Sequence, residues 1–371
     1  MRVDALRLRD FRNIEAALVE PHPRFNVLWG ANGQGKTNFL EAIYLLGAVK
    51  SFRPQTNASL LRFGTTSAML EAKVDRGGYD RIVRLDITER GKKVSLNNNP
   101  VRSLSDFFGT VNVVVFGPED IQILKGSPSD RRRFVDRAIF NAHPGYAVES
   151  QSYEEVLKNR NALLKDRSSD RTLLEIYDEQ LIQYGADVMR RRLDFLEDFR
   201  PVLRATFQSI FDETFDADVA YDVRWAEQVL TENAPRAEIE RMIADGLLKT
   251  RDEERDRGFT VVGPHRDDLR TLLNGHEVKT FASQGQHRAF VLAMKIAEIR
   301  YLEDRFHFAP ILLLDDVSSE LDQERNRFLF DFLRRRTDGQ VFITTTHRDY
   351  ILLDEEIATF KVQGGEIIAD D

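Results

Sequence analysis

Hydrophobic and polar positions along the chain fall into three regimes. Over residues 1–117, short β-branched and aromatic runs alternate with turn residues, the spacing expected of strands. One run, Phe25-Asn26-Val27-Leu28-Trp29, ends directly in glycine, and in the stretch Asn38 to Leu46 the apolar residues recur at helical spacing. That order predicts strand, glycine loop, helix. Ser67 to Val74 and Arg81 to Thr88 predict strands of a meander, Asn97-Asn98-Asn99-Pro100 a turn, and Asn112 to Phe116 a buried strand. From about Ser129 to Arg257 the pattern changes to long, charged, helical segments, with breaks expected at Pro144, Pro201 and Pro235. After Gly263 the α/β character returns, with Ile311 to Leu314 and Val341 to Ile343 as short apolar strands suited to a covered parallel sheet. The expectation is an α/β protein of two lobes. Residues 1–117 plus 262–371 form a mixed-sheet lobe, and 118–261 form an inserted, mainly helical lobe.

At 371 residues the chain is long enough for two or three folding units. It holds 42% hydrophobic and 31% charged residues, which excludes a disordered or fibrous chain. The absence of cysteine excludes disulfides, thiolate metal sites and a cysteine nucleophile. Neither an apolar signal core at the N-terminus nor a bilayer-length apolar run is present, so a cytoplasmic protein is expected, with no membrane partner. Net charge is −8, but unevenly spread: residues 1–117 carry 17 Lys and Arg against 11 Asp and Glu, leaving 36 against 50 for the rest. A basic N-terminal portion is compatible with a phosphate-binding face.

The chemistry begins at Gly30-Ala31-Asn32-Gly33-Gln34-Gly35-Lys36-Thr37, which matches the phosphate-loop pattern G-x-x-x-x-G-K-[ST] between strand and helix. Glycines let the backbone curl around phosphate oxygens, N–H groups and the helix start supply positive potential, Lys36 reaches the β and γ phosphates, and the Thr37 hydroxyl ligates magnesium. Asn38 opens the helix at the loop's end. A triphosphate site also needs a carboxylate at a strand end. Ile311-Leu312-Leu313-Leu314-Asp315-Asp316 supplies Asp315 for magnesium and Asp316 to orient or deprotonate the attacking water. Lys36 and Asp315 lie 279 positions apart, which leaves room for a whole domain. A third element, Ser283-Gln284-Gly285-Gln286, opens an amphipathic helix and makes either an anion site or an N-cap on Ser283.

In this order the three elements resemble those of the ABC-type ATPases: phosphate loop, signature motif at residues 281–286 near the seam of the lobes, and the Walker B end Asp315-Asp316. Ser319-Glu320-Leu321-Asp322 resembles their D-loop and His347 their switch histidine. Within that superfamily the chain is similar over its whole length to the RecF family of bacterial recombination mediators. The similarity rests on Phe11-Arg12-Asn13, Lys50-Ser51-Phe52-Arg53, Pro118-Glu119-Asp120, the run Lys125 to Asp136, and Gly263-Pro264-His265-Arg266-Asp267-Asp268-Leu269. Gln284 stands where ABC signatures usually have glycine, and Asp316 where they usually have glutamate; the shorter carboxylate fits either slow hydrolysis or a place behind the ligands of the metal. Gln122 is the nearest candidate for a Q-loop residue.

The resemblance implies an ABC-type ATPase head and an ATP-dependent homodimer that uses ATP and Mg2+ as a conformational switch. In it Lys36, Thr37 and Asp315 act in one subunit, Ser283, Gly285 and Gln286 complete the site of the other, Asp322 lies near the interface, and His347 senses the γ-phosphate. Arg12 or Asn13 would meet the adenine. It implies further a clamp on gapped DNA that acts with RecR and RecO to direct RecA, in DNA replication, recombination and the SOS response to damage. Arg53, Arg131, Arg132 and Arg133 are the DNA-binding candidates, with Arg62, Lys92, Lys93 and Arg137 as further basic residues. No helix-turn-helix or zinc finger is evident, so backbone-directed, sequence-independent binding is expected. His265 and His287 are expected to be hydrogen-bonded structural histidines, Arg190-Arg191-Arg192 and Arg334-Arg335-Arg336 solvated helix faces, and the 25 phenylalanines core. The rival readings are an SMC-like structural head, which would need long heptad stretches, an ABC transporter subunit, and a nuclease or kinase.

Overall fold

The computed structural model describes residues 1–53, 56–102, 107–166, 171–226, 230–231, 233–317, 321–335, 338–348, 351, 353 and 357–370. They divide into two compact units: Met1–Asp120 with Glu298–Asp371, and Ile121–Ala297. The first division falls within three residues of the expected one. The second comes at Glu298 instead of residue 262, because strand Asp268–Leu273 pairs with Ala217–Asp222 in a sheet of the second unit.

The first unit holds two six-stranded sheets. One is antiparallel, built from β1 (Arg2–Phe11), β2 (Ile14–Val19), β4 (Ser67–Arg76), β5 (Tyr79–Thr88), β6 (Gly91–Leu96) and β7 (Asn99–Pro100), in the order β2-β1-β4-β5-β6-β7. Asn97 and Asn98, both at positive φ, make the tight turn from β6 to β7. The other sheet contains β3 (Phe25–Trp29), β8 (Val113–Phe116), β12 (Ile311–Asp315), β13 (Val341–Thr345), β14 (Ile357–Gln363) and β15 (Glu366–Ala369), ordered β15-β14-β3-β13-β12-β8. All its pairs are parallel except β14 with β15. The helix Lys36–Ala48 packs against strands of both sheets, which is why ten of its thirteen residues are buried and its apolar positions run all round.

The second unit contains β9 (Ala217–Asp222), β10 (Asp268–Leu273) and β11 (His276–Glu277) in one small sheet, among helices Pro128–Ala142, Tyr146–Lys165, Arg171–Ile210 and Arg236–Lys249. Helices end before Pro144 and begin after Pro235, as expected. Pro201 breaks nothing: the helix Arg171–Ile210 runs through it. Proline forfeits one backbone hydrogen bond there. The buried stripe Leu193, Leu196, Phe199, Leu203 and Phe207 anchors the helix to the core on both sides of it. Phenylalanines form that core, with Phe134 and Phe207 touching Phe199 and Phe290, at ring-centroid distances of 6.0 and 5.7 Å respectively.

Candidate functional site

Strand β3 delivers the chain at Trp29 into the loop Gly30 to Gly35. Glycine is required at both ends of it. Gly30 has φ 151° and a Cβ there would lie 2.4 Å from the Val362 carbonyl oxygen, while Gly35 has φ 115° and its Cβ would lie 2.8 Å from the Asn13 side-chain amide. Lys36 opens the helix with its side chain buried, its ammonium donating to Gly30 O at 2.7 Å and Ala31 O at 2.9 Å. Burial pushes the Lys36 pKa down, and the carboxylates of Asp316 and Asp315 oppose that shift.

Asp315 ends β12 beside the loop. Its Oδ1 accepts from the Thr37 hydroxyl at 2.8 Å and from the Thr344 hydroxyl at 2.8 Å. Asp316 sits at φ 50°, in the left-handed region that L-residues avoid, and its N–H donates to Thr344 Oγ1 at 3.0 Å. The loop, Lys36, Thr37, Asn38 and Arg53 on one side, with Pro118, Asp315, Asp316 and Thr344 on the other, enclose a pocket of about 370 Å³. That is the size of a small-molecule site. The donor set suits a hard cation: a hydroxyl and a carboxylate oxygen already 2.8 Å apart, which Mg2+ takes in preference to nitrogen or sulfur. Among the described residues no cluster of three or more His, Asp or Glu forms a separate metal site.

The structure gathers the loop residues, Asp315, Asp316 and Arg53 at this pocket, and adds Thr344, whose only signal in the sequence was its place at the end of a buried strand. Arg53, one of the DNA-binding candidates, reaches Asn38 Oδ1 at 3.2 Å and lines this pocket. Arg12, with Asn13 one of the two residues expected at the adenine, donates to the buried Glu41 at 3.0 and 3.2 Å and to the Ser59 carbonyl at 2.7 Å. A fully buried carboxylate needs that cation. Asn13 touches the loop itself, its Nδ2 donating to Gln34 O at 2.9 Å and its Oδ1 accepting from Asn38 at 2.8 Å. His347 is exposed at the end of β13, its N–H donating to Thr345 Oγ1 at 3.2 Å. Of the D-loop, Ser319 and Glu320 lie outside the described residues, as does Arg336; Asp322 caps the helix Gln323–Arg335 by accepting from Arg325 N at 3.0 Å.

Ser283 to Gln286 lie in the second unit, exposed or half-buried at the start of the helix Gln284–Phe306. Ser283 Oγ accepts from Gln286 N at 3.2 Å while Gln286 Oε1 accepts from Ser283 N at 2.8 Å, a reciprocal cap that fixes the helix start. Gln122 opens a short helix, Gln122–Lys125, in the same unit.

The arginine candidates part company here. Arg131 is 7% exposed and grips Asp268 through two bonds, at 2.7 and 2.9 Å, and Arg132 donates to the Asp267 carbonyl at 2.5 Å. Arg131 is thus buried on a carboxylate within the fold, Arg132 is half-buried, and Arg133 is exposed, paired with Asp130 at 3.3 Å. Lys92 likewise turns inward to the Val49 carbonyl. Arg192, expected on a solvated face, is buried on Asp136 at 2.8 and 2.9 Å and on the Pro264 carbonyl at 2.8 Å. Asp267 accepts from the Trp225 indole at 2.6 Å and from the Tyr221 hydroxyl, and burial raises its pKa to about 6. His265 bonds Tyr153 Oη at 2.6 Å and the Thr260 carbonyl at 3.1 Å, and burial lowers its pKa to about 4. His287 bonds the Val278 carbonyl at 2.9 Å. Both histidines are structural.

Residues 2–367 match the model of the RecF/RecN/SMC N-terminal domain. The chain is 39% identical over 370 residues to the DNA replication and repair protein RecF of Geotalea daltonii, covering 99% of this chain and all of the relative. It is 42% identical to that of Geobacter sulfurreducens, covering 99% of each. Among solved structures, the recombination mediator protein RecF with ATP, in the RecFOR pathway, superposes with a TM-score of 0.88 at 31% identity, covering 99% of both chains. An Smc head bound to the C-terminal winged-helix domain of ScpA has a TM-score of 0.57 at 13% identity, covering 100% of this chain and 98% of that one, a likeness of fold alone. No helix among the described residues is long and apolar enough to cross a membrane.

Proposed function

The chain belongs to the RecF/RecN/SMC family, and within it to the RecF DNA replication and repair proteins, and on that footing we propose that it is an ATP-driven clamp on gapped DNA. The observation that carries this reading is the pocket where Lys36, Thr37, Asp315 and Asp316 converge on the glycine loop. The loop N–H groups and Lys36 hold the β and γ phosphates of ATP. Thr37 and Asp315 hold Mg2+, which screens phosphate charge when bound. Asp316 orients the attacking water, and the shorter carboxylate keeps hydrolysis slow, so turnover serves as a timer for release. His347 senses the γ-phosphate.

Ser283, Gly285 and Gln286 of one subunit close on the phosphates held by the other. A ligand that contacts two protomers stabilises their dimer by mass action, and loss of the γ-phosphate contact lets it open. The closed dimer binds the DNA backbone at gaps without reading sequence and acts with RecR and RecO to load RecA in the cytoplasm. Sedimentation of wild type, Lys36→Met and Ser283→Arg, with and without Mg-ATP and gapped duplex, tests the reading. ATP should drive dimerisation and DNA binding in wild type alone, and Ser283→Arg should still bind ATP as a monomer. A chain that stays monomeric with ATP, or binds DNA equally without it, sinks the clamp.

A further inference from the structure

The peptide joining Gln34 to Gly35 is held from outside the phosphate loop. Its carbonyl oxygen accepts two hydrogen bonds, from Asn13 Nδ2 at 2.9 Å and from the N–H of Gly365 at 3.0 Å. Gly364 and Gly365 form the turn between β14 and β15, and the Gly364 N–H donates to Gln34 Oε1 at 2.7 Å. A trans peptide is planar, with its C=O and N–H pointing to opposite sides. Pinning this carbonyl toward Asn13 and the hairpin therefore turns the Gly35 N–H away from both, and Gly35 lines the pocket.

We propose that Asn13 and the Gly364–Gly365 turn are positioning residues that lock this peptide plane and so aim the Gly35 N–H at a nucleotide phosphate. The inference rests on the reading that the loop holds ATP. Unpinned, the peptide can rotate and present its oxygen to the phosphates, which replaces a donor by a repelling acceptor. A fixed donor needs no reorganisation when the anion arrives.

The hairpin's fit against the loop is close at several points. A Cβ on Gly365, which sits at φ +91°, would lie 2.1 Å from Asn13 O, and one on Gly30 would lie 2.4 Å from Val362 O. Strand β14 pairs with β3 up to Lys361 beside Trp29, and the Trp29 indole N–H donates to Asp370 at 2.8 Å. The C-terminal segment thus touches the loop at its entry and near its end.

The test compares equilibrium binding of ATP and of ADP, together with the nucleotide-free melting midpoint, for wild type, Asn13→Ala, Gly365→Ala and Gly77→Ala. Gly77 has φ +63° with nothing within 4 Å of a Cβ, so its variant carries similar backbone strain with no contact to the loop. Asn13→Ala and Gly365→Ala should weaken ATP and ADP in parallel, by about tenfold or more. The nucleotide-free midpoint of Asn13→Ala should stay close to that of wild type, that of Gly365→Ala should fall below that of Gly77→Ala because its Cβ meets the Asn13 backbone, and Gly77→Ala should bind as wild type does. Unchanged affinity in Asn13→Ala and Gly365→Ala overturns the proposal, as does a loss of affinity in Asn13→Ala matched by a fallen nucleotide-free midpoint of that variant, since that marks general loosening. A wild type that fails to bind ATP sinks the reading of the site itself, and the proposal with it.

Discussion

In the unit that carries the phosphate loop, Lys36, Asp315 and Asp316 line a pocket. In the unit 121–297, Arg131, Arg160 and Arg192 are 7%, 2% and 5% exposed, and each closes on a carboxylate of the same unit: Asp268, Asp178 and Glu254, and Asp136. Arg131 and Arg192 look like the first set in sequence, as charged residues in distinctive runs. What separates them is where the compensating charge sits. A buried pair closed within the fold roughly balances desolvation against attraction and leaves nothing over for a ligand. A site whose cations and carboxylates face a common opening keeps that capacity. Distinctive charged motifs thus mark function in one region and architecture in the other.

The largest effect expected from breaking this contrast comes from Arg131→Met, which removes the buried cation of Asp268 and leaves its carboxylate to the exposed Arg224 and the Leu269 N–H. Urea unfolding should show a loss of about 3 kcal/mol or more, while ATP affinity of the folded protein stays as in wild type. A fall in ATP or DNA affinity without a fall in stability would return Arg131 to the binding candidates.

Next come the paired titrations of Asp267 and His265. Burial raises Asp267 to about 6 from 3.8, so its contribution to stability is full below about pH 4 and is lost as pH rises through 6. Burial lowers His265 to about 4 from 6.5, so its contribution is present above 6.5 and lost as pH falls through 4. The two oppose each other across this window. Relative to wild type, His265→Asn should lose stability as pH rises from about 4 to 6.5, by up to about 3 kcal/mol, and Asp267→Asn should gain it. Denaturation midpoints across that range measure both slopes, and parallel pH profiles for all three proteins would remove the titrations from the account. The smallest effect belongs to Arg133→Ala on the surface, where stability should stay within about 0.5 kcal/mol of wild type. Any loss of DNA affinity there should fade as salt is raised, and a salt-independent loss would point to a contact other than phosphate.

Local pattern carried much of the first unit. Strand, glycine loop and helix from Phe25 to Ala48 follow from spacing alone, and so does the strand that delivers Asp315, because each is decided by neighbours within a few residues. The partners of the arginines were out of reach, since Arg131 and Asp268 are 137 residues apart in sequence and nothing local announces their pairing. The same holds for β10, which joins β9 in a part of the chain expected to be mainly helical, and moves the unit boundary with it. Pro201 misled because its local cost is real but is outweighed by buried contacts on both sides. The hydrogen bond from Asn13 to the Gln34 carbonyl, across 21 residues, was likewise out of reach of local pattern.

Strand β3, with its buried run Phe25 to Leu28, finds both of its sheet partners near the end of the chain, in β13 and β14. On a ribosome adding roughly 5–20 residues per second, the phosphate-loop strand therefore waits on the order of tens of seconds for Val341–Thr345 and Ile357–Gln363 to be made. The unit 121–297 is contiguous and is fully synthesised before then. During that interval the apolar strand has two open edges of the kind that invites pairing with other chains, and a chain that stops short of residue 341 never closes either of them.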